Sequence, residues 1–255
     1  MKLRVLTYNI HRAIGLDRRF KPERIEQIIG DHSPDIVMLQ EVDEGVPRSR
    51  ELAMAKEIAT NLGYPYFAMG HNVSLRKGYY GNATLSRYPI VRERNINLTI
   101  DNKKRRGCQH TTIQIQSTAG KLYLLEVFNL HLGLAAQERQ KQTSRLMRSK
   151  EFATLDPHMP CIFGGDFNDW LSRLRALIVE GMGMQCATDH TTDKGITSIK
   201  TYPSFSPRGG LDRVYYRGEL RLLSVEKCRH QVAKVASDHL PVIADLELSG
   251  KGLMV

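Results

Sequence analysis

A chain of 255 residues, 41% of them hydrophobic, can bury a large core, so disorder as a global state is excluded. No apolar run approaches the roughly 18 residues needed to cross a bilayer. The opening MKLRVLTYNI lacks the apolar stretch and cleavage site of a secretory signal, so a cytoplasmic protein is expected, with the mature form of an exported one as the alternative. The formal net charge of +10 favours a polyanionic partner, namely nucleic acid, an anionic membrane surface or a phosphorylated metabolite, although a solvated basic surface has the same signature.

The predicted elements alternate apolar strands with amphipathic helices. A strand over 3–9 (LRVLTYN) leads to a helix over 21–30, with Pro22 in its first turn. A strand over 35–41 (DIVMLQE) precedes a helix over 51–61 that stops at Gly63. Strands over 82–86, 109–116 and 121–130 read as antiparallel hairpins, with the basic run KKRR (103–106) as a loop tip between them. A helix over 135–153, a strand over 160–165, a helix over 170–179 and strands over 212–217 and 240–247 complete the pattern. This mixture predicts an α/β (α+β) chain with mixed sheets covered by helices, in one domain over 1–255. Neither GxGxxG nor GxxxxGK[ST] is present, which removes the main support for a nucleotide-binding fold. The four cysteines include no CxxC pair, which argues against a thiolate zinc site.

Polar groups gather where these strands end. LRVLTYN ends in Asn9, with His11 two residues on, and DIVMLQE ends in Glu41. LYLLEVFNLH ends in Asn129 and His131, and PCIFGGDFN ends in Asp166 and Asn168. LDRVYY opens at Asp212, and SDHLPVIADL opens at Asp238 and His239. All can share one rim if the last two strands run antiparallel to the others. The i, i+2 pairs Asn9/His11, Asn129/His131 and Asp166/Asn168 then share a face wherever extended geometry continues. Carboxylate and carboxamide oxygens are hard donors that suit Mg²⁺, with Mn²⁺ as the alternative, and Mg²⁺ commonly keeps water and substrate phosphate in its shell. Histidines beside carboxylates supply acid–base groups or transition-state hydrogen bonds. Together they suit metal-assisted displacement at phosphorus.

TYNIH, LQEV, YGNATLSRYPI, NLHLG, GGDFND, LDRVYY and SDHLPV, in this order from residue 7 to 242, resemble the motifs of the endonuclease/exonuclease/phosphatase superfamily, the fold of DNase I, and in particular its compact bacterial members. The resemblance implies a four-layer sandwich of two mixed β-sheets packed face to face, with helices outside. It also implies Glu41 as the main Mg²⁺ ligand, helped by Asn9 and through water by Asp238. His239 would face the scissile phosphate, held charged by Asp212, and Asp166 would orient or deprotonate the attacking water. Asn168 would donate to a phosphate oxygen, and His131 would stabilise the transition state or protonate the leaving group. In DNase I a glutamate supports the matching histidine, whereas the local segment RKGYYGNAT has no such carboxylate.

Other residues are assigned by weighing chemistry against simpler roles. Asp169 precedes WLSRLRALIV and is read as a helix N-cap. Asn82 at a strand start is a substrate-binding candidate, and Asn129 is another unless it only holds the strand-end loop. His11 contacts substrate or satisfies a backbone group. Arg48 and Arg106 hold a non-bridging phosphate oxygen or belong to solvated basic loops. Glu126 is read as a solvated strand residue, and His110 as surface or core. The expected activity is Mg²⁺-dependent phosphodiester hydrolysis by a monomer, first of all on nucleic acid, because Lys and Arg contacts to phosphate dominate such affinity. A phospholipase C- or sphingomyelinase-like enzyme, or a small-molecule phosphatase, is the alternative. An inactive binding module on the same fold is the third possibility.

Overall fold

A computed structural model describes residues 1–117, 120–193 and 195–249. In chain order its strands are β1 (Lys2–Asn9), β2 (Ile36–Glu44), β3 (Tyr66–Ser74), β4 (Tyr79–Ser86), β5 (Ile90–Asn97), β6 (Gly107–Gln116), β7 (Leu122–His131), β8 (Cys161–Asp166), β9 (Gln185–Cys186), β10 (Asp189–Thr192), β11 (Gly195–Ser198), β12 (Asp212–Arg217), β13 (Leu220–Lys227) and β14 (Val242–Leu248). Its helices are α1 (Pro22–His32), α2 (Met54–Asn61), α3 (Ala136–Met147), α4 (Lys150–Ala153), α5 (Arg175–Val179) and α6 (Ala233–Ala236). One six-stranded sheet has the order β13-β14-β1-β2-β4-β3, the other β5-β6-β7-β8-β12-β9. Each is mixed: β1–β2 and β7–β8 are parallel, and the other neighbours are antiparallel.

The alternation of side chains along each strand builds the layers. Leu3 and Val5 of β1, Ile36 and Met38 of β2, Leu125 and Val127 of β7, Ile162 of β8 and Val214 of β12 share one core between the sheets. Their neighbours face outward. Leu6, Tyr8, Val37 and Leu39 pack under α1 and α2, while Phe128, Leu130 and Phe163 pack with Leu146 of α3 and Phe152 of α4. The result is four layers, helices–sheet–sheet–helices. Among the described residues no helix is long and apolar enough to cross a membrane.

The eight strands expected from the sequence are all present as interior strands. Of the six that were not expected, β3, β5, β9 and β13 are the four edges of these sheets, and β10 and β11 form a separate two-stranded sheet. An edge strand buries little, so its apolar pattern is weak; IVRERNIN of β5 is exposed at six of eight positions. The helix expected over 135–153 divides into α3 and α4, because Ser149 adopts an extended conformation (ψ 147°) between them. The helix expected over 170–179 shrinks to α5, with turns before it. Glu126 is not solvated. It faces outward from β7 but lies under the second helix layer, 2% exposed, bonded to His110 Nε2 (2.5 Å) and Thr112 Oγ1 (2.8 Å).

Candidate active site

Followed toward one end of the sandwich, the inward-facing series change character together. Leu3 and Val5 give way to Thr7 and Asn9; Ile36 and Met38 to Gln40; Leu125 and Val127 to Asn129 and His131; Ile162 to Asp166 beyond Gly164; and β12 begins at Asp212 below Val214. The registers align Asn9 with Gln40, His131 with Asp166, and Asp212 with Asp166. The C-terminal ends of β1, β2, β7 and β8 therefore meet the N-terminal end of β12, and β14 runs antiparallel to β1 to bring in the 238–239 segment.

The first polar tier is a buried amide network that joins the sheets. Asn129 Nδ2 donates to the carbonyls of Leu39 (3.1 Å) and Ala83 (2.9 Å), and its Oδ1 accepts from Gln40 Nε2 (2.8 Å). Asn82 Nδ2 donates to the carbonyl of Asn129 (3.0 Å). Asn129 is 0% exposed, so the expectation of substrate contact is corrected: its amide is consumed in holding strands. Asn82 is likewise buried and tied to backbone.

Above this tier lies the charged cluster. His239 Nδ1 is 2.9 Å from Asp212 Oδ2, and its Nε2 is 3.7 Å from Asp166 Oδ2. Asp212 Oδ2 also accepts from Thr201 Oγ1 (2.5 Å), and Asp166 accepts from Asn9 Nδ2 (3.0 Å) and from the Asn168 amide (2.9 Å). His131 Nε2 lies 3.4 Å from Asp166 Oδ2. The carboxylate beside His131 is thus Asp166, from the neighbouring strand and not from the 76–84 segment. Burial alone would lower the His239 pKa, but the charges of Asp212 and Asp166 outweigh it and hold the ring as a cation well above the usual range. Burial, with Asp212 adding to it, raises Asp166. His131 is driven well below the ordinary histidine value by burial, then by Arg106, His239 and Lys104, and stays neutral. Asp166, Asp212 and His239 place ligand-type atoms within 4.8 Å of one another. The imidazolium between the two carboxylates already supplies the positive charge there.

Backbone geometry sets the rim. Gly165 has φ +146°, and a Cβ there would run into the carbonyl of Leu130 on β7, so only glycine fits. Asp166 then leaves the strand, and Asn168 turns left-handed (φ +51°), donating its Nδ2 to the Leu132 carbonyl (3.0 Å). Extended geometry therefore does not continue from Asp166 to Asn168. Nor does it continue from Asn9: His11, Arg12 and Ala13 all have positive φ. His11 Nδ1 meets the Ile14 carbonyl (2.9 Å) and its Nε2 is in contact with Arg12, which favours its backbone role. Glu41 sits at φ +59° in a bulge where the β2–β4 register shifts. Left-handed non-glycine residues cost about 1–3 kcal/mol each, and their clustering at one rim fits a constrained site.

Around Glu41 the groups are basic and aromatic. Arg12 Nε is 3.9 Å from its carboxylate, and burial, with the Glu41 charge adding to it, raises the pKa of the nearby Tyr80 hydroxyl. Lys104 Nζ and the Arg48 guanidinium each lie 5.7 Å from the Tyr80 ring centre. KKRR is therefore folded against the site through Lys104 and Arg106, and Arg106 is 5% exposed with its Nε unpartnered. Arg48 is exposed, but its fork is fixed, because buried Asp43 takes it at 2.7 Å twice. Asp169 accepts the Leu174 amide (2.8 Å) at the entrance to α5, close to its expected capping role. Asp238 stands half-buried on the loop fixed by Ser237, whose Oγ donates to the Asn9 carbonyl (2.7 Å). Of the three residues expected to hold a cation, Glu41 is partly exposed, Asn9 turns its Nδ2 to Asp166 and its Oδ1 to the His11 amide (3.1 Å), and Asp238 is tied to the Asn9 segment through Ser237; their side chains offer the oxygen donors a hard divalent cation takes. Thr201, Gln40 and Tyr80 escaped the sequence argument: Thr201 lies in an irregular loop, and the other two sit within quoted motifs without a role.

A family model described as Endonuclease/Exonuclease/phosphatase family matches residues 6–239. Uncharacterized protein YbhP of Escherichia coli (strain K12) is 30% identical over 258 residues, covering 96% of each chain. Among solved structures, an endonuclease/exonuclease/phosphatase from Beutenbergia cavernae superposes with a TM-score of 0.79 at 21% identity, over 98% of this chain and 72% of that one. A mannosyl-6-phosphatase of Bacteroides thetaiotaomicron superposes with a TM-score of 0.72 at 19% identity, over 96% and 99%.

Proposed function

The chain belongs to the endonuclease/exonuclease/phosphatase family, and from that premise we propose that it is a Mg²⁺-dependent phosphoester hydrolase that directs water at phosphorus. The observation that carries this reading is the Asp212–His239–Asp166 line with a neutral His131 on the other side of Asp166. Asp166 receives the proton of the attacking water; burial raises its pKa toward the range a general base needs. His239, kept cationic by Asp212, presents Nε2–H to a non-bridging oxygen and offsets the charge that develops there. His131, uncharged, donates a hydrogen bond to the phosphoryl group. Asn168, with one amide hydrogen on Leu132, has the second available for another phosphate oxygen. Glu41, with Asn9 and Asp238, would hold the cation, whose chemistry is to polarise the phosphoryl oxygen.

The test is hydrolysis of bis(p-nitrophenyl) phosphate and p-nitrophenyl phosphate with and without Mg²⁺, for the wild type and Glu41→Ala. Metal-dependent turnover that falls at least about 10²-fold in a folded Glu41→Ala variant is expected. Equal turnover by the variant would remove Glu41 from the chemistry.

A further inference from the structure

The connections at the catalytic end of the sheets carry an unusual pairing of groups. Leu134 follows β7 and is 77% exposed; Trp170 (49%) and Leu171 (70%) follow β8; Phe205 (65%) precedes β12; Leu16 (42%) follows β1; and Val235 (38%) lies on α6 before His239. Five separate segments each place a large apolar side chain in water at the same end of the molecule. Single exposed hydrophobics are ordinary, but a set gathered around one cleft marks a binding face.

These side chains are held by the catalytic loops themselves. The Trp170 ring covers Gly209, where a Cβ would come within 2.7 Å of it, and packs edge-on against Tyr202 at 5.6 Å. Tyr202 lies 4.9 Å from the His239 ring. The exposed indole is therefore two rings from the catalytic histidine. The Leu16 amide donates to the Val235 carbonyl (2.9 Å), and Ser204, next to Phe205, bonds the carbonyls of Ser237 and Asp238. The apolar rim is thus as fixed as the site.

Basic residues flank these apolar side chains: Lys and Arg exceed Asp and Glu by three in the connection after β1 (10–21), by three in the one between β5 and β6 (98–106) and by two in the one before β12 (199–211). Lys103, Arg105, Arg173 and Arg208 among them are exposed. Nucleic-acid faces are polar and basic, without a rim of solvated Leu and Phe. Apolar side chains that enter the acyl boundary, flanked by basic groups that meet anionic head groups, are the pattern of a protein that lies on a bilayer.

We propose that this rim docks on an anionic lipid bilayer, so that the site faces the surface and takes phosphate esters presented there. The inference rests on the hydrolase reading for its chemistry but not for its docking. Trp170 is the only tryptophan of the chain, so its emission reports on the rim directly. The experiment titrates full-length protein, metal-free and carrying Glu41→Ala so that no turnover intervenes, with vesicles of phosphatidylcholine alone or with 30% phosphatidylglycerol (about that fraction suffices to set a negative surface). A blue shift of emission and co-sedimentation with the anionic vesicles are expected. Leu134→Asp/Leu171→Asp, checked for an unchanged melting temperature, should weaken that binding at least about tenfold. No shift and no co-sedimentation would overturn the docking while leaving the hydrolase assay untouched. So would binding that the double substitution does not weaken, which would place the contact on another face. Emission that responds to duplex DNA but not to vesicles would also overturn it and assign the rim to nucleic acid.

Discussion

Replacing Asp212 with Asn isolates what the buried carboxylate does for His239. Asp212 is 0% exposed, and its Oδ2 lies 2.9 Å from His239 Nδ1. Two unit charges at that distance attract by about 6 kcal/mol at an effective dielectric constant of about 20. At about 1.4 kcal/mol per pKa unit, that is a ceiling of about four units of support for the imidazolium. Asp166 at 3.7 Å remains, and an amide oxygen can still accept from Nδ1, so the expected fall is smaller, at least about two units from a folded value of about 10. The sign is fixed: removing a negative neighbour destabilises the cation, so the variant deprotonates at lower pH. The assay is an imidazole ¹⁵N–¹H titration of metal-free wild type and Asp212→Asn. In the wild type the His239 cation should persist through neutral pH. In the variant it should be lost from neutral pH upward, and kcat should fall more at pH 8 than at pH 6. A His239 titration unchanged by Asp212→Asn would refute the argument that this carboxylate sustains the charge.

Asn129→Leu should destabilise the fold by about 3 kcal/mol or more in urea unfolding, because it strips the carbonyls of Leu39 and Ala83 of this side-chain donor and removes the Asn129 acceptor that ties Gln40 to the other sheet. A folded variant of wild-type stability with a raised KM would instead return Asn129 to the substrate. The two glycines of GGDFND should respond differently to alanine. Gly165→Ala drives a Cβ into backbone at a φ that disfavours side chains, and should cost more than about 3 kcal/mol or prevent folding. Gly164→Ala meets the flexible thioether of Met38 and should cost less; equal losses in parallel melts would contradict this distinction.

The interior of the fold was legible because interior strands alternate strongly, and the sheet edges were not because IVRERNIN has almost no buried side to display. The site was legible for a related reason. An Asp or His at the end of a run of buried residues on a strand is costly unless it has a use; Asp166 and His131 close such runs and Asp212 opens one. What could not be read was depth. Asn9 and Asn129 look alike in sequence, each closing an apolar strand, yet Asn9 reaches Asp166 while Asn129 lies one tier lower and meets only protein. That difference depends on how one sheet is staggered over the other, which no local pattern encodes. Arg48 was ambiguous for the same reason, since its partner Asp43 is five residues away on the bulged end of β2. Thr201 on Asp212 gave no local signal, because nothing in the irregular loop before β12 reveals which hydroxyl turns inward.

The amide tier also explains how a charged site can sit on an apolar sandwich. Strand ends must be held against each other if Asp166, His131 and Asp212, which come from three strands, are to keep spacings of a few ångströms. Apolar contacts fix such spacings loosely near water, and ionic contacts would add fields that shift the very groups being positioned. Gln40, Asn82 and Asn129 do neither: they are neutral at every pH, Asn82 and Asn129 bond backbone carbonyls across the sheets, and Gln40 reaches across to the Asn129 side chain. The electrostatics above them is then set by few ionisable groups, chiefly Asp166, Asp212 and His239 with the cations of Arg106 and Lys104 beyond His131. A charge introduced into the amide tier should therefore disturb the site even where it leaves packing intact. Gln40→Glu keeps the shape of its side chain but places a buried carboxylate next to Asn129 Oδ1, an acceptor facing an acceptor, and so must either protonate or open the junction between the sheets.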